Sequence, residues 1–164
     1  MLSRDALSSL LVCALEQLEI PVCRSFVNPG ANAPHDVCES SNNGNGQLWV
    51  ANLGSTAGWP TFTSAPITCA TPFADQIELG IVRCAEGVLQ DVTLIPDASK
   101  VTNDAMQQQD DKMALKAAIL CCWGIDGKDM LPPIWEPIEP QGGCVGGIWT
   151  VSIRDGSCVC PTES

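Results

Sequence analysis

The chain has 164 residues, room for one domain over 1–164, and at that length about 70% of the unfolded surface is buried on folding. With 19 acidic against 8 basic residues its net charge is −11, so it lacks the basic face that binding through phosphate contacts demands. A composition that is 45% hydrophobic and 16% charged excludes disorder, and a single histidine excludes most catalytic triads and His-rich metal sites.

The first element expected is an amphipathic helix. Leu7, Leu10, Leu11, Ala14, Leu15 and Leu18 recur at three- and four-residue steps, Ser3 can cap the helix, and Pro21 ends it. The same stretch faintly imitates a cleaved leader, with Arg4 before an apolar run and Leu11-Val12-Cys13-Ala14 where a lipoprotein is cut. Asp5, Glu16 and Glu19 argue for the helix instead. No run reaches eighteen apolar residues, so no membrane span is expected.

Residues 21–46 read as an irregular loop rich in Pro, Gly and Asn, and Gln47–Leu53 alternates as a strand does. A second long arm, 54–74, contains Gly58-Trp59-Pro60, Pro66 and Pro72. The clearest central strand is Gln76–Cys84, with Ile77, Leu79 and Ile81 on one face and Glu78, Gly80 and Val82 on the other. After a connection over 91–100, a long helix starts near Thr102. Met106, Met113, Ala117 and Leu120 step along one of its faces, and Gly124 serves as its C-cap. Pro132, Pro133, Pro137 and Pro140 predict a stiff extended linker. A strand over Ile148–Arg154, a turn at Asp155-Gly156 and a return over Ser157–Cys160 close the chain. The order predicts an α+β fold: a mixed, mostly antiparallel sheet packed against two helices, with two long loop arms. Arms of that length in a compact domain point to a task in binding or assembly.

Ten cysteines call for an explanation. Paired Cys-x-x-Cys knuckles are absent, and Cys23, His35 and Cys38 would need a fourth zinc ligand from afar, so no metal is expected. A Cys23–Cys38 disulfide would close the first loop and contribute about 3 kcal/mol in the chain-entropy model. Cys121 or Cys122 could meet Cys144. Most of the others, Cys13 and Cys84 among them, read as small buried hydrophobes.

A cysteine–histidine pair could use only His35, and Asp110-Asp111 lies on a polar helix face. The glycine pairs 142–143 and 146–147 lack a phosphate-loop pattern, and Asp126–Asp129 lacks calcium-loop spacing. No catalytic residue and no cofactor are expected, and the protein reads as a non-enzyme. Trp49 and Trp149 belong to strands. Trp59 and Trp135 adjoin prolines, where each either anchors another subunit or tucks onto its own domain.

Four blocks carry a resemblance: CRSFVNPGANAPHDVC…GQLWVANL (23–53), LGIVRCAEG (79–87), ILCCWG (119–124) and QGGCVGGIWTVSI (141–153). Together they resemble the neck proteins of long-tailed bacteriophages of actinobacteria, and within that group the tail terminators or head-to-tail connectors. The resemblance implies a ring, of six copies, on top of the tail tube. Such a ring stops tube growth and meets the head-completion protein. It also implies a mixed sheet with a helix before and after its main strands, whereas head-stoppers are small β-barrels and adaptors mainly helical.

The implied partners are further copies of the chain, the major tail tube protein and the head-completion (stopper) protein. DNA would pass without specific binding, no membrane would be involved, and the location would be the virion, after assembly in the host cytoplasm. Six copies would carry a formal charge of about −66, which suits a channel that DNA crosses. Asp104, Asp110 and Asp111 are the channel-lining candidates. Trp59, Phe62, Phe73 and Trp135 are the candidates for subunit contacts. The alternatives are a stopper or connector ring one level nearer the portal, and a secreted, disulfide-rich binding module.

Overall fold

The computed structural model describes residues 4–30, 33, 44–61, 66, 68, 71–85, 95, 97–141 and 143–155. Helix α1 (Arg4–Gln17) precedes strands β1 (Arg24–Asn28), β2 (Gln47–Ala57) and β3 (Phe73–Cys84). Helix α2 (Ala98–Ala117) continues into a π-helical turn (Ala118–Cys122), and β4 (Ile134–Gln141) and β5 (Cys144–Asp155) complete the order. The sheet runs β1-β2-β3-β5-β4, with β1 parallel to β2 and every other pair antiparallel. This is the expected α+β class. The Ser157–Cys160 return lies outside the described residues.

Period-two alternation decides both faces of the sheet. Leu48 and Val50 of β2, Ile77, Leu79 and Ile81 of β3, and Trp149, Val151 and Ile153 of β5 form the main core. Leu10 and Ala14 of α1 and Leu115, Ala118 and Ile119 of the second helical segment pack on it. The opposite face carries a smaller cluster of Trp49, Val82 and Ala33, with Phe26, Ile138 and Ile148 against it. Trp49 is fully buried, and its Nε1 donates to Glu78 Oε1 at 2.5 Å.

The Trp49 ring lies over Gly80, its direct cross-strand partner, so a Cβ there would sit 2.2 Å from Trp49 Cζ2. Gly80→Ala is therefore expected to cost about 1–3 kcal/mol, because the pinned indole cannot swing aside. Urea unfolding measures it, and a midpoint equal to that of the parent chain refutes this packing. Trp135 repeats the device on the helix-bearing face, where a Cβ on Gly147 would meet its Cζ2 at 2.2 Å.

Asp97 caps α2: its carboxylate accepts from Ser99 N at 2.9 Å and from Ser99 Oγ at 2.7 Å. These bonds to the charged form hold its pKa below the ordinary 3.8. The cap thus contributes above the unfolded-state value and is lost as the pH falls through the lower folded value.

Three expectations change. The proline-rich stretch is a strand, β4, rather than a free linker. It pairs with β5 on one side only, where a residue without an N–H is tolerated. The loop 21–46 contains β1, so it joins the sheet. The arm 54–74 is shorter than expected, since β2 runs on to Ala57 and β3 begins at Phe73.

Candidate functional site

The most elaborated polar site lies where α2 crosses the Cys84 end of β3. Along the core-facing side of β3, the run Ile77, Leu79, Ile81 ends in Arg83, a charge placed where apolar side chains belong. Its partner comes from α2: Nε donates to Asp111 Oδ2 and Nη2 to Asp111 Oδ1, both at 2.8 Å. The side chains are only 4% and 3% exposed. The remaining donors reach main-chain carbonyls, Nη1 to Pro21 (3.1 Å) and Asn45 (2.7 Å) and Nη2 to Ile20 (2.7 Å). All five guanidinium N–H groups are thereby used.

Gln107 Nε2 adds a bond to Asp111 Oδ1 at 3.2 Å. Asn45 closes the end of the ladder: its Oδ1 accepts from Cys84 N at 2.8 Å and its Nδ2 donates to Cys84 O at 3.2 Å. Beside this knot is a cleft of about 230 Å³ whose wall includes Lys100, Asn103, Asp104, Gln107 and Gln108. The Arg83 charge is neutralised and its donors are committed, so the knot is built to hold four segments together. Among the described residues no three His, Cys, Asp or Glu side chains form a metal-binding group.

The predicted residues scatter around this centre. Asp111 is corrected from a channel-lining residue to the buried partner of Arg83. Asp104 is half-buried on the cleft wall, and Asp110 is exposed. Trp59 and Phe73, both half-buried, lie at the opposite end of the β2–β3 pair, where Gly58 N donates to Pro72 O at 2.8 Å. Eleven steps of β3 separate the two ends by about 36 Å. Phe62 lies outside the described residues.

Trp135, a candidate for subunit contacts, is half-buried and packs its ring within the chain. It lies 5.4 Å from Trp149, centroid to centroid, and over Gly147. Trp149 in turn donates Nε1 to Lys112 O at 3.0 Å, tying the sheet to α2.

The cysteines also regroup. Cys13, expected as a plain core residue, is bonded to Cys122 across a separation of 109 residues, which joins α1 to the π-helical turn. Trp123 secures the same junction by donating Nε1 to Ala6 O at 2.8 Å. Cys144 is disulfide-bonded too. Cys23 is a thiol that donates to Gly46 O at 2.9 Å, so the expected Cys23–Cys38 bridge is not formed. Cys38 lies outside the described residues.

The apolar stripe of the second helical segment faces outward: Met106 and Met113 of α2 and Leu120 of the π-helical turn are 60%, 59% and 50% exposed, whereas Asp111 and Leu115 are the residues α2 buries. Periodicity locates the stripe and does not say which way it faces. The parity of Arg83 on an apolar strand face was the one signal that could have found the knot. No protein-family model and no curated protein matches the chain.

Proposed function

We propose that the protein is a structural subunit of the head–tail junction of a long-tailed bacteriophage. It would form a ring, of six copies, that caps the tail tube and joins it to the head-completion protein. The reading rests on the four sequence blocks that resemble tail terminators. One structural observation supports it: the mixed five-stranded sheet carries α1 before its strands and α2 between β3 and β4, both on one face. That is the architecture the resemblance implies, and neither a small β-barrel nor a mainly helical adaptor is built this way.

In this role the net charge of −11 per chain keeps DNA from adhering as it passes. Asp110 remains an exposed acidic candidate for the channel, and Trp59 and Phe73 remain candidates for contacts between copies. The test is to mix the purified chain with polymerising tail tube protein and image the tube ends. Capped ends and arrested tube growth are expected. A chain that neither assembles nor engages tube ends overturns the reading.

A second reading, a disulfide-bonded binding module of an oxidising compartment, is favoured by the Cys13–Cys122 bond. Thiol counting by mass spectrometry separates the two, since four or more disulfides in the purified chain would support the module.

A further inference from the structure

Two cysteines meet at the end of the sheet and have no part in the role proposed above. Cys84 ends β3, Cys144 opens β5, and the two are direct partners in the antiparallel ladder. The main-chain bonds around them fix the kind of pair. Ala85 N donates to Gly143 O at 2.8 Å, one step outward, whereas the N–H and carbonyl of Cys84 itself turn the other way, onto the Asn45 carboxamide. Cys84 and Cys144 are therefore a non-hydrogen-bonded pair, the closer of the two kinds, with Cα atoms about 4.5 Å apart and both side chains on one face. That separation lies within the range a disulfide spans, about 4.4–6.8 Å.

The two sulfurs are in different states. Cys84 is half-buried and carries a thiol, whereas Cys144, 7% exposed, is in a disulfide. Its partner is not another described cysteine, since Cys13 and Cys122 hold each other and Cys23, Cys84 and Cys121 are thiols. That leaves Cys38, Cys69, Cys158 and Cys160. A thiol placed at bridging range from one half of a disulfide is the arrangement that thiol–disulfide exchange needs. We propose that Cys84 and Cys144 form an exchange site. The Cys84 thiolate attacks Cys144 Sγ, a Cys84–Cys144 bond forms, and the bond from Cys144 to its present partner breaks. The electron pair leaves on the partner's sulfur, which takes up the proton that Cys84 gave up. One thiol and one disulfide enter and one of each emerges, so no oxidant or reductant is consumed. The exchange moves a covalent tie into the β3–β5 ladder and leaves a thiol on a cysteine outside the described residues. It does not depend on the tail-junction role.

Disulfide mapping tests it. Cys84 and Cys144 fall on separate tryptic peptides, 84–100 and 129–154, and neither peptide holds another cysteine. The full chain is kept dilute, with Cys121→Ser in every sample to remove an exposed competing thiol. It is held folded without oxidant or reductant for about a day, beyond the minutes to hours of uncatalysed exchange. It is then quenched in acid, alkylated and digested beside a freshly quenched reference. At about pH 8 the cross-linked pair of peptides is expected to rise above the reference, and several-fold more slowly at about pH 6, because the attacking species is the thiolate. Loss of alkylation at Cys84 should be matched by an equal gain at one of the four remaining cysteines, with the total of thiols unchanged. Cys84→Ser is expected to abolish that gain. A cross-linked pair that does not rise above the reference overturns the proposal. So does a gain that Cys84→Ser leaves intact, or a fresh chain whose Cys144 holds no disulfide to exchange.

Discussion

Replacing Arg83 with methionine is expected to lower the free energy of unfolding by about 3–5 kcal/mol, the range for breaking one partner out of a buried ion pair. The loss has two sources. Asp111, 3% exposed, is left as a buried carboxylate with Gln107 as its remaining side-chain donor, and the carbonyls of Ile20, Pro21 and Asn45 lose the donors that replaced water. Arg83→Lys keeps the charge but not the planar fork, so it is expected to fall between the two.

The double variant Arg83→Met with Asp111→Leu separates the sources. Removing both charges relieves the orphaned carboxylate, so stability recovers in part. It does not return fully, because the three carbonyls still lack donors. Guanidinium unfolding of the three variants measures this order. If Arg83→Met unfolds at the midpoint of the parent chain, the knot does not hold the segments as described.

Reducing the Cys13–Cys122 bond is expected to cost about 4–5 kcal/mol in the chain-entropy model, because the closed loop spans most of the chain. The bond also fixes α1 to the end of the second helical segment, a junction otherwise held by Trp123 and by Leu10 and Ala14 in the core. The comparison needs two chains. Thermal unfolding of the parent should shift sharply downward with reductant, and the Cys13→Ala, Cys122→Ala variant should shift by much less, keeping only what the separate Cys144 disulfide contributes. A parent chain indifferent to reductant would remove the bond from the account of stability.

Elements that announce themselves through local pattern were legible in the sequence. Ile77, Leu79 and Ile81 alternate, and Leu7, Leu10, Leu11 and Ala14 step at helical spacing. Both patterns express a side that must be dry, and the fold honours both. What could not be read locally was which neighbour supplies the dryness. The prolines of β4 suggested a linker because proline cannot enter a sheet interior, yet an edge strand accepts it. Cys13 has the periodicity of a core residue and is one, at 7% exposure; its bond to Cys122 depends on where the π-helical turn arrives. The row Met106, Met113, Leu120 is visible as a pattern, but nothing local says which way it faces. α2 buries the face bearing Asp111, a residue whose acidity concealed its burial.

The sheet order leaves two lateral edges, and they are unequal. Pro137 sits opposite Gly147 in the β4–β5 ladder, so the main-chain position where β4 would offer an outward N–H has none to offer, and Pro140 repeats the interruption near a break in register. An extended segment from another molecule would find its hydrogen bonding to β4 interrupted at Pro137. The opposite edge, β1, is five residues long, parallel to its neighbour, and headed by Arg24, whose guanidinium lies 4.8 Å from the Phe26 ring. Among the described strands, β4 is thus the less receptive edge. Open-ended polymerisation through the sheet needs two receptive edges per molecule, so the prolines of β4 work against it.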